Sequence, residues 1–274
     1  MKKSVFMSAV VIAAACVCLC FTGCKKTEKK ASNAVDALKA RGVFVLGLDD
    51  SFPPLGFRDD SNEIVGYDID LAKEVAKRLG VSFKAQPIDW DAKEMELETG
   101  KIDCIWNGFT ITEDRKAALS MSFAYLDNEQ VLVVQKASGI KTLADMKGKK
   151  LGIQSGSSAQ DAVDEDANRD FKAGLKDVIP FKDNITALND LKIGGVDGVV
   201  MDSVVANYSI AQTGEPFYVV PQALANEAYG IGFRKNEPEL RDKVQEILIE
   251  MQKDGTVAAI STKWFGKDVS VIGK

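Results

Sequence analysis

Any chemistry in this chain must be done without histidine: none occurs among its 274 residues. That removes the commonest general base and the commonest zinc ligand together. What remains are carboxylates, guanidinium groups, hydroxyls and aromatic rings near strand ends and helix starts. Arg115 stands three residues after Thr112 at the opening of a helical pattern. Its planar guanidinium fork can meet a carboxylate with two parallel bonds. Glu113, Asp114 and Lys116 surround it, so a solvated arginine on a charged helix is the plainer reading of those residues alone. Asp202 follows the apolar run Gly198 to Met201 and begins a helix, where a capping aspartate is common. Gln154-Ser155-Gly156-Ser157-Ser158 opens another helix with small residues, whose free N–H groups attract anions. Ser157 and Ser158 also serve there as caps. The segment is not a nucleotide loop, because the Gly-Lys-(Ser/Thr) ending is absent. Asn107-Gly108-Phe109-Thr110 is read as a loop after a parallel strand, the place where open α/β sheets bind ligands. Phe52, in a proline-held loop, and Trp90, beside Asp89, offer aromatic walls, with core burial as the alternative for Trp90. Cys104 lies in the apolar run Ile102 to Trp106 and reads as a buried strand thiol.

The elements that must position these residues alternate along the chain. Val43 to Leu48 reads as a strand, and Tyr67 to Leu79 as a helix with Asp68 near its start and Gly80 as its stop. Val81 to Ala85 and Ile102 to Trp106 read as strands around a helix from Asp89 to Glu98. The alternation resumes with Val131 to Val134, Leu151 to Ile153, a helix from Ser157, Val178 to Phe181, a helix from Asn184, and Gly198 to Met201. Such alternation predicts mostly parallel sheets with helices on their faces. An internal echo sharpens this: Leu97 to Asp103 and Leu191 to Asp197 share Leu-x-x-Gly-x-(Ile or Val)-Asp, 94 residues apart. Each reads as a helix end, a glycine stop and entry into a buried strand. Two α/β lobes of similar build follow. Tyr229 to Arg234 then reads as a strand, Pro238 to Lys253 as a long amphipathic helix and Gly255 to Phe265 as a shorter one.

At the N-terminus, Lys2 and Lys3 precede an apolar run from Val5 to Leu19, too short to span a bilayer comfortably but suited to a secretory signal. Phe21-Thr22-Gly23-Cys24 resembles the lipobox of bacterial lipoproteins, with phenylalanine where leucine is usual. Cleavage there would place a lipid on Cys24, and the formal charge of −5 would fall to −7 with the two leader lysines gone. Cys104 would then have no partner, so no disulfide framework is expected. Lys25 to Asn33 is polar and lysine-rich, suited either to a soluble spacer or to lying beside anionic headgroups. The mild acidity and the lack of a basic stripe argue against nucleic-acid binding. No second long apolar segment is present.

The ordered set of motifs resembles one family. Asp49-Asp50-Ser51-Phe52-Pro53-Pro54, Gly66-Tyr67-Asp68-Ile69-Asp70-Leu71-Ala72 and Gly100-Lys101-Ile102-Asp103 come first. Thr110-Ile111-Thr112-Glu113-Asp114-Arg115 and Lys253-Asp254-Gly255-Thr256 follow. From Val43 to Gly266 the chain is similar to the solute-binding proteins for polar amino acids that serve ABC importers, the bilobed periplasmic binding proteins. The resemblance implies a two-lobed α/β fold with two hinge crossovers, near Asp127 to Gln130 and Pro221 to Asn226. It divides the chain into a leader (1–23), a lipidated tether (24–40), lobe 1 (41–127 and 223–274) and lobe 2 (128–222). It implies that Arg115 clamps a ligand carboxylate, and that Thr110, Asn107 and Gly108 supply a hydroxyl and backbone groups. Gly156, Ser157 and Ser158 would contribute from the second lobe, and Asp202 would hold the ammonium. Phe52 and Trp90 would sandwich the side chain, and Asp49 would read its distal polar group. A carboxylate there disfavours acidic ligands and leans toward arginine, lysine, histidine or glutamine. A monomer with no cofactor or metal, delivering its ligand to permease subunits, is expected. The rivals are a dehydratase of prephenate-type substrates on the same fold and an amino-acid sensor component.

Overall fold

The computed structural model describes residues 33–274. The expected leader, Cys24 and most of the expected tether lie outside the described residues. The last part of that tether segment is helical. Ala34–Arg41 is capped by Asn33, whose side-chain oxygen accepts from the Asp36 N–H at 3.0 Å. Leu38 is buried and anchors this helix to the body, against the long helix Pro238–Lys253. The physical reason is ordinary: a good cap and one buried leucine suffice when a neighbouring helix is there to pack on.

Among the described residues, one twisted sheet organises the molecule. From edge to edge its strands run Asp177–Phe181, Lys150–Gln154, Gly198–Asp202, Leu126–Gln135, Ala225–Phe233, Cys104–Thr110, Val43–Leu48 and Ser82–Pro87. The short strands Phe217–Val219 and Ser120–Met121 pair off this path. The three outer strands at each end are mutually parallel, as the alternation predicts. The two in the middle, Leu126–Gln135 and Ala225–Phe233, are antiparallel to each other and to their neighbours. They pair from Leu126 opposite Tyr229 to Gln130 opposite Ala225. Of the two segments read from the sequence as crossovers, Asp127 to Gln130 lies within this ribbon, whereas Pro221 to Asn226 enters it only at Ala225 and Asn226.

Helices cover both faces because side chains alternate along each strand. Val131, Val133, Val199 and Met201 join the largest core cluster, while Leu132, Val134 and Val200 face a second one with Leu151, Ile153 and Met146. In the other half Cys104 and Trp106 face the large cluster, and Ile105 and Phe109 a third one with Leu97 and Ile102. Cys104 is a buried free thiol, and burial pushes its pKa well up, so it packs as a small apolar residue. Helix Tyr67–Leu79 buries Ile69, Leu71, Ala72, Val75, Ala76 and Leu79 in its predicted register.

Two sequence-based boundaries are corrected. The strand expected to end near Trp106 runs on to Thr110, so Asn107 to Thr110 is strand rather than loop. Its extension is held by Ala225–Phe233, with Thr110 opposite Tyr229 and Phe109 opposite Gly230. The local pattern could not announce it, because the partner strand lies more than a hundred residues away. The pairing shifts register between Gly230 and Gly232. Gly108 adopts φ +56, and a Cβ there would lie 2.7 Å from the Phe52 ring and 2.8 Å from Leu55. The helix expected over Asp89 to Glu98 begins as a 3₁₀ turn, Trp90–Ala92, and becomes α only from Lys93.

The internal echo is structural. In the first half, the Asp103 carboxylate accepts the Val45 N–H at 2.8 Å while its own N–H donates to the Val45 carbonyl at 2.7 Å. In the second, Asp197 repeats both bonds with Lys150, at 2.9 Å each. Each aspartate locks the start of one strand to the start of its parallel neighbour. The environments differ: the Asp103 side chain is 2% exposed and pairs with Arg41 at 2.5 Å, whereas that of Asp197 is 44% exposed. Urea unfolding is expected to register a loss of about 2–4 kcal/mol for Asp103→Ala and about 1 kcal/mol for Asp197→Ala. Equal losses would contradict this account.

Candidate ligand-binding site

The site residues gather where the central ribbon meets the carboxyl ends of the parallel strands. Asp49, Phe52, Trp90, Asn107, Gly108, Arg115, Gln154, Ser157, Ser158 and Asp202 line one enclosed cavity. Nine of these ten are residues singled out in the sequence for this role; Gln154, from the same serine-rich segment, joins them. Space within it is on the order of a single water molecule. A free amino acid is therefore admitted only if the two sides separate or their side chains move. The remaining two predicted residues, Thr110 and Gly156, stand just behind this lining.

Arg115 is 9% exposed. Its backbone N–H is capped by Thr112 at 3.1 Å, one Nη1 donates to the Thr110 carbonyl at 2.8 Å, and the guanidinium lies 4.2 Å from the Phe109 ring centroid. Burial pulls its pKa down, while Asp161, Glu94, Glu227 and Asp202 pull it up from a distance. The solvated arginine suggested by its charged neighbours is not what the fold makes. The strand extension to Thr110 turns the side chain inward, and no carboxylate lies within ion-pair distance of it among the described residues.

Asp202 occupies a helix N-cap position but makes no capping bond. Its Oδ1 accepts from Asn128 at 2.8 Å, Gln130 at 3.0 Å and the Tyr229 hydroxyl at 2.7 Å. Burial, then the charge of Glu227, pushes its carboxyl up to about 7. Asp49 is also raised, chiefly by burial, although Ser51 and Gln154 donate to it. The Gln154 bond, at 2.8 Å, links one half of the sheet to the other. Asn107 contributes more than backbone: its side-chain oxygen accepts the Asp49 N–H at 3.0 Å and so fixes the end of the first strand. The Gly108 N–H donates to buried Asp68 at 2.9 Å.

Three further links cross between the halves. Thr110 Oγ1 and Ser158 Oγ lie 3.0 Å apart. Lys93 Nζ donates to the Gly156 carbonyl at 3.0 Å, which explains why Gly156 borders the cleft without lining it. Glu227 accepts from Thr110 on one side and Ser158 on the other. Ser157 turns its hydroxyl to the Gln154 carbonyl at 2.7 Å rather than capping its helix. Phe52 is 5% exposed, and Trp90 packs edge-on against Phe109 with centroids 5.9 Å apart.

Lys93, Asn128, Gln130, Glu227 and Tyr229 were not singled out from the sequence for the site. The last four alternate along the two ribbon strands, and only the pairing of those strands brings them to one face. The run from Asp127 to Gln130 was read as a crossover, and its polar alternation is the one local signal that could have marked it.

The raised carboxyls set a pH dependence. Asp68, pushed up to about 7 by burial, and Asp202 both lie above the ordinary value of 3.8, so the folded state holds more protons than the unfolded chain in between. Their stabilisation is complete below about pH 4 and is lost as pH rises through about 7. Thermal melts of the ligand-free protein should show its melting temperature falling from pH 5 to pH 8. Asp202→Asn should flatten that fall and raise the melting temperature at pH 8; an unchanged or steeper slope would contradict the assignment.

The comparisons with known proteins agree with this geometry. Residues 44–267 match the family described as bacterial extracellular solute-binding proteins, family 3. The L-cystine-binding protein TcyJ of Escherichia coli (strain K12) is 32% identical, over 86% of this chain and 87% of that protein. The arginine-binding extracellular protein ArtP of Bacillus subtilis (strain 168) is 28% identical, over 93% of this chain and 96% of its own length. A crystal structure of an ABC uptake transporter substrate binding protein from Streptococcus pneumoniae with bound histidine superposes with a TM-score of 0.83. It is 38% identical and covers 88% of this chain and all of that one. With its two α/β halves, its ribbon of two crossing strands and its cleft between them, the chain belongs to the family 3 bacterial extracellular solute-binding proteins.

Proposed function

We propose that this protein captures a free polar L-amino acid between two lobes outside the cytoplasm and delivers it to the permease of an ABC importer. One observation carries this reading: a buried guanidinium, Arg115, and a buried carboxylate, Asp202, face the same small cavity without an ion-pair partner. A zwitterion supplies both missing charges at once, its carboxylate to Arg115 and its ammonium to Asp202. Phe52 and Trp90 provide apolar and stacking walls for the side chain. Asp49 adds a further carboxylate at the cavity, which repels acidic side chains and favours a cation, so the reading leans to arginine, lysine or histidine, or else glutamine. Relatives whose names carry arginine, cystine and histidine support the amino-acid class without choosing among its members.

Closure follows from the ribbon. On this reading, lobe 1 is built from 41–127 and 223–274, lobe 2 from 128–222, and the strands Leu126–Gln135 and Ala225–Phe233 are the hinge. Hinge closure around a ligand is the handled motion of periplasmic binding proteins in general. A ligand shifts the open and closed populations only by its preference for the closed one, so contacts from both lobes are required. The lipobox-like segment ending at Cys24 supports a lipid anchor at the membrane surface, and among the described residues no helix is long and apolar enough to cross a membrane. A monomer is sufficient for this mechanism.

Titration calorimetry against the standard amino acids and L-cystine, after bound ligand is stripped by unfolding and refolding, tests the reading. One polar or basic amino acid should bind, and Arg115→Ala should weaken it roughly 100-fold or more. Silence across the panel would remove the amino-acid assignment. Lys93→Met deletes a bond that spans the cleft, together with the Lys93 bond to the Trp90 carbonyl at 3.1 Å, and leaves Arg115 and Asp202 in place. It should weaken binding about tenfold, mainly through faster release measured by stopped flow. Unaltered release would show that this bond does not hold the closed form.

A further inference from the structure

Asp202 does not stand alone at the cleft. Glu227, on the ribbon strand Ala225–Phe233, directs its Oε2 to the same place. Asn128 Nδ2 donates to both carboxylates, at 2.8 Å to Asp202 and 3.1 Å to Glu227. Gln130 Nε2 does the same, at 3.0 Å to each. Two carboxylate oxygens that share the same two amide donors must lie close together, and in a desolvated cleft they repel. Every hydrogen-bond partner of the pair is neutral: Asn128, Gln130 and Tyr229 for Asp202, with Thr110 and Ser158 completing the set for Glu227. Among the described residues no lysine or arginine forms an ion pair with either.

A structure that brings two acids together without a cation is balanced by one that arrives from outside. A primary ammonium has three N–H donors in a tetrahedral array. Asp202, at the end of Gly198–Asp202, Glu227, on the ribbon, and the Thr110 hydroxyl, at the end of Cys104–Thr110, converge from three strands. We propose that Glu227 is a second anchor for the ligand ammonium, which binds between the Asp202 and Glu227 carboxylates. The assignment rests on the amino-acid reading above and deepens it. Because Glu227 also accepts from Thr110 and Ser158 on opposite sides of the cleft, the ammonium is read by groups that meet only when the cleft is closed. Glu227 thereby selects for ligands that carry a free α-amino group.

The test is a calorimetric cycle in the protein and in Glu227→Gln, which keeps the shape and removes the charge. The probes are L-arginine with its deaminated analogue 5-guanidinopentanoate, and L-histidine with imidazolepropionate. For the amino acid that binds, Glu227→Gln should weaken affinity by roughly 10- to 1,000-fold. Affinity for the deaminated partner, measured by competition, should change by less than about twofold. Glu227→Asp, which keeps the charge but draws it back by one methylene, should give an intermediate loss, with melting temperatures recorded for every variant. Unchanged affinity for the amino acid in a folded Glu227→Gln overturns the assignment and leaves the amino-acid reading standing. An equal loss for both members of a pair also overturns it, since the glutamate would then only hold the cleft closed. Failure of the unaltered protein to bind any of these probes removes the assignment together with the reading beneath it, an outcome recognised before any variant is made.

Discussion

Buried charge without a partner is the constraint from which the rest of this structure follows. Arg115 and Asp202 are withdrawn from bulk water, Glu227 stands half-buried beside Asp202, and none is neutralised by an opposite charge within ion-pair distance among the described residues. Desolvating an ion costs several kcal/mol even after relaxation, and a fold keeps such groups only where something else holds them in place. Here neutral dipoles do so: the Thr110 carbonyl and Phe109 ring for the guanidinium, and amides and hydroxyls for the acids. These donors cannot cancel the charges, but they fix their positions. On the proposed reading, this is a cleft suited to a molecule that carries both signs at a fixed separation.

The scaffold meets that demand with little local complexity. Each half is a parallel α/β sheet whose first strand is tied to its neighbour by an aspartate, Asp103 in one and Asp197 in the other. Between them lies the antiparallel ribbon, where the chain passes from half to half while staying hydrogen-bonded. Because strand side chains alternate, the ribbon turns Asn128, Gln130, Glu227 and Tyr229 toward the cleft and packs Val131 and Val133 into the core. On the proposed reading, hinge and binding surface share the same residues. Bending of the ribbon, as proposed, would move the donors of Asp202 and Glu227 together with the lobes and so couple recognition to closure.

The direct bonds across the cleft bear on the same coupling. Asp49 with Gln154, Thr110 with Ser158 and Lys93 with Gly156 join the two halves directly. On the proposed reading they favour closure of the lobes, which the repulsion between Asp202 and Glu227 opposes. A small bias of this kind is useful in a carrier. Each contact that favours closure in the absence of ligand reduces the discrimination between loaded and empty forms, and each like-charge pair restores it.

Much of this was legible in the residues alone. Periodicity placed helix Tyr67–Leu79 and helix Pro238–Lys253 at their observed ends, because glycine or proline punctuates both and their apolar stripes are strong. The repeated Leu-x-x-Gly-x-(Ile or Val)-Asp motif foretold two halves of like construction, and it did so because its final aspartate performs the same backbone bond in each. Asp49, Phe52, Trp90, Arg115, Ser157, Ser158 and Asp202 were nameable because the ordered motifs resemble one family; local signals alone marked Ser157, Ser158 and Asp202 as helix starts and left Arg115 a solvated arginine. Tertiary structure alone decided the rest. The strand through Asn107 to Thr110 exists because Ala225–Phe233 pairs with it, and Arg115 is buried in consequence. Asp202 binds the ribbon rather than capping its helix, and Glu227 stands beside it, only because residues roughly a hundred positions apart are brought into hydrogen-bond range. Local sequence carries propensity and pattern; which distant partner satisfies a buried polar group is settled only when the chain has folded.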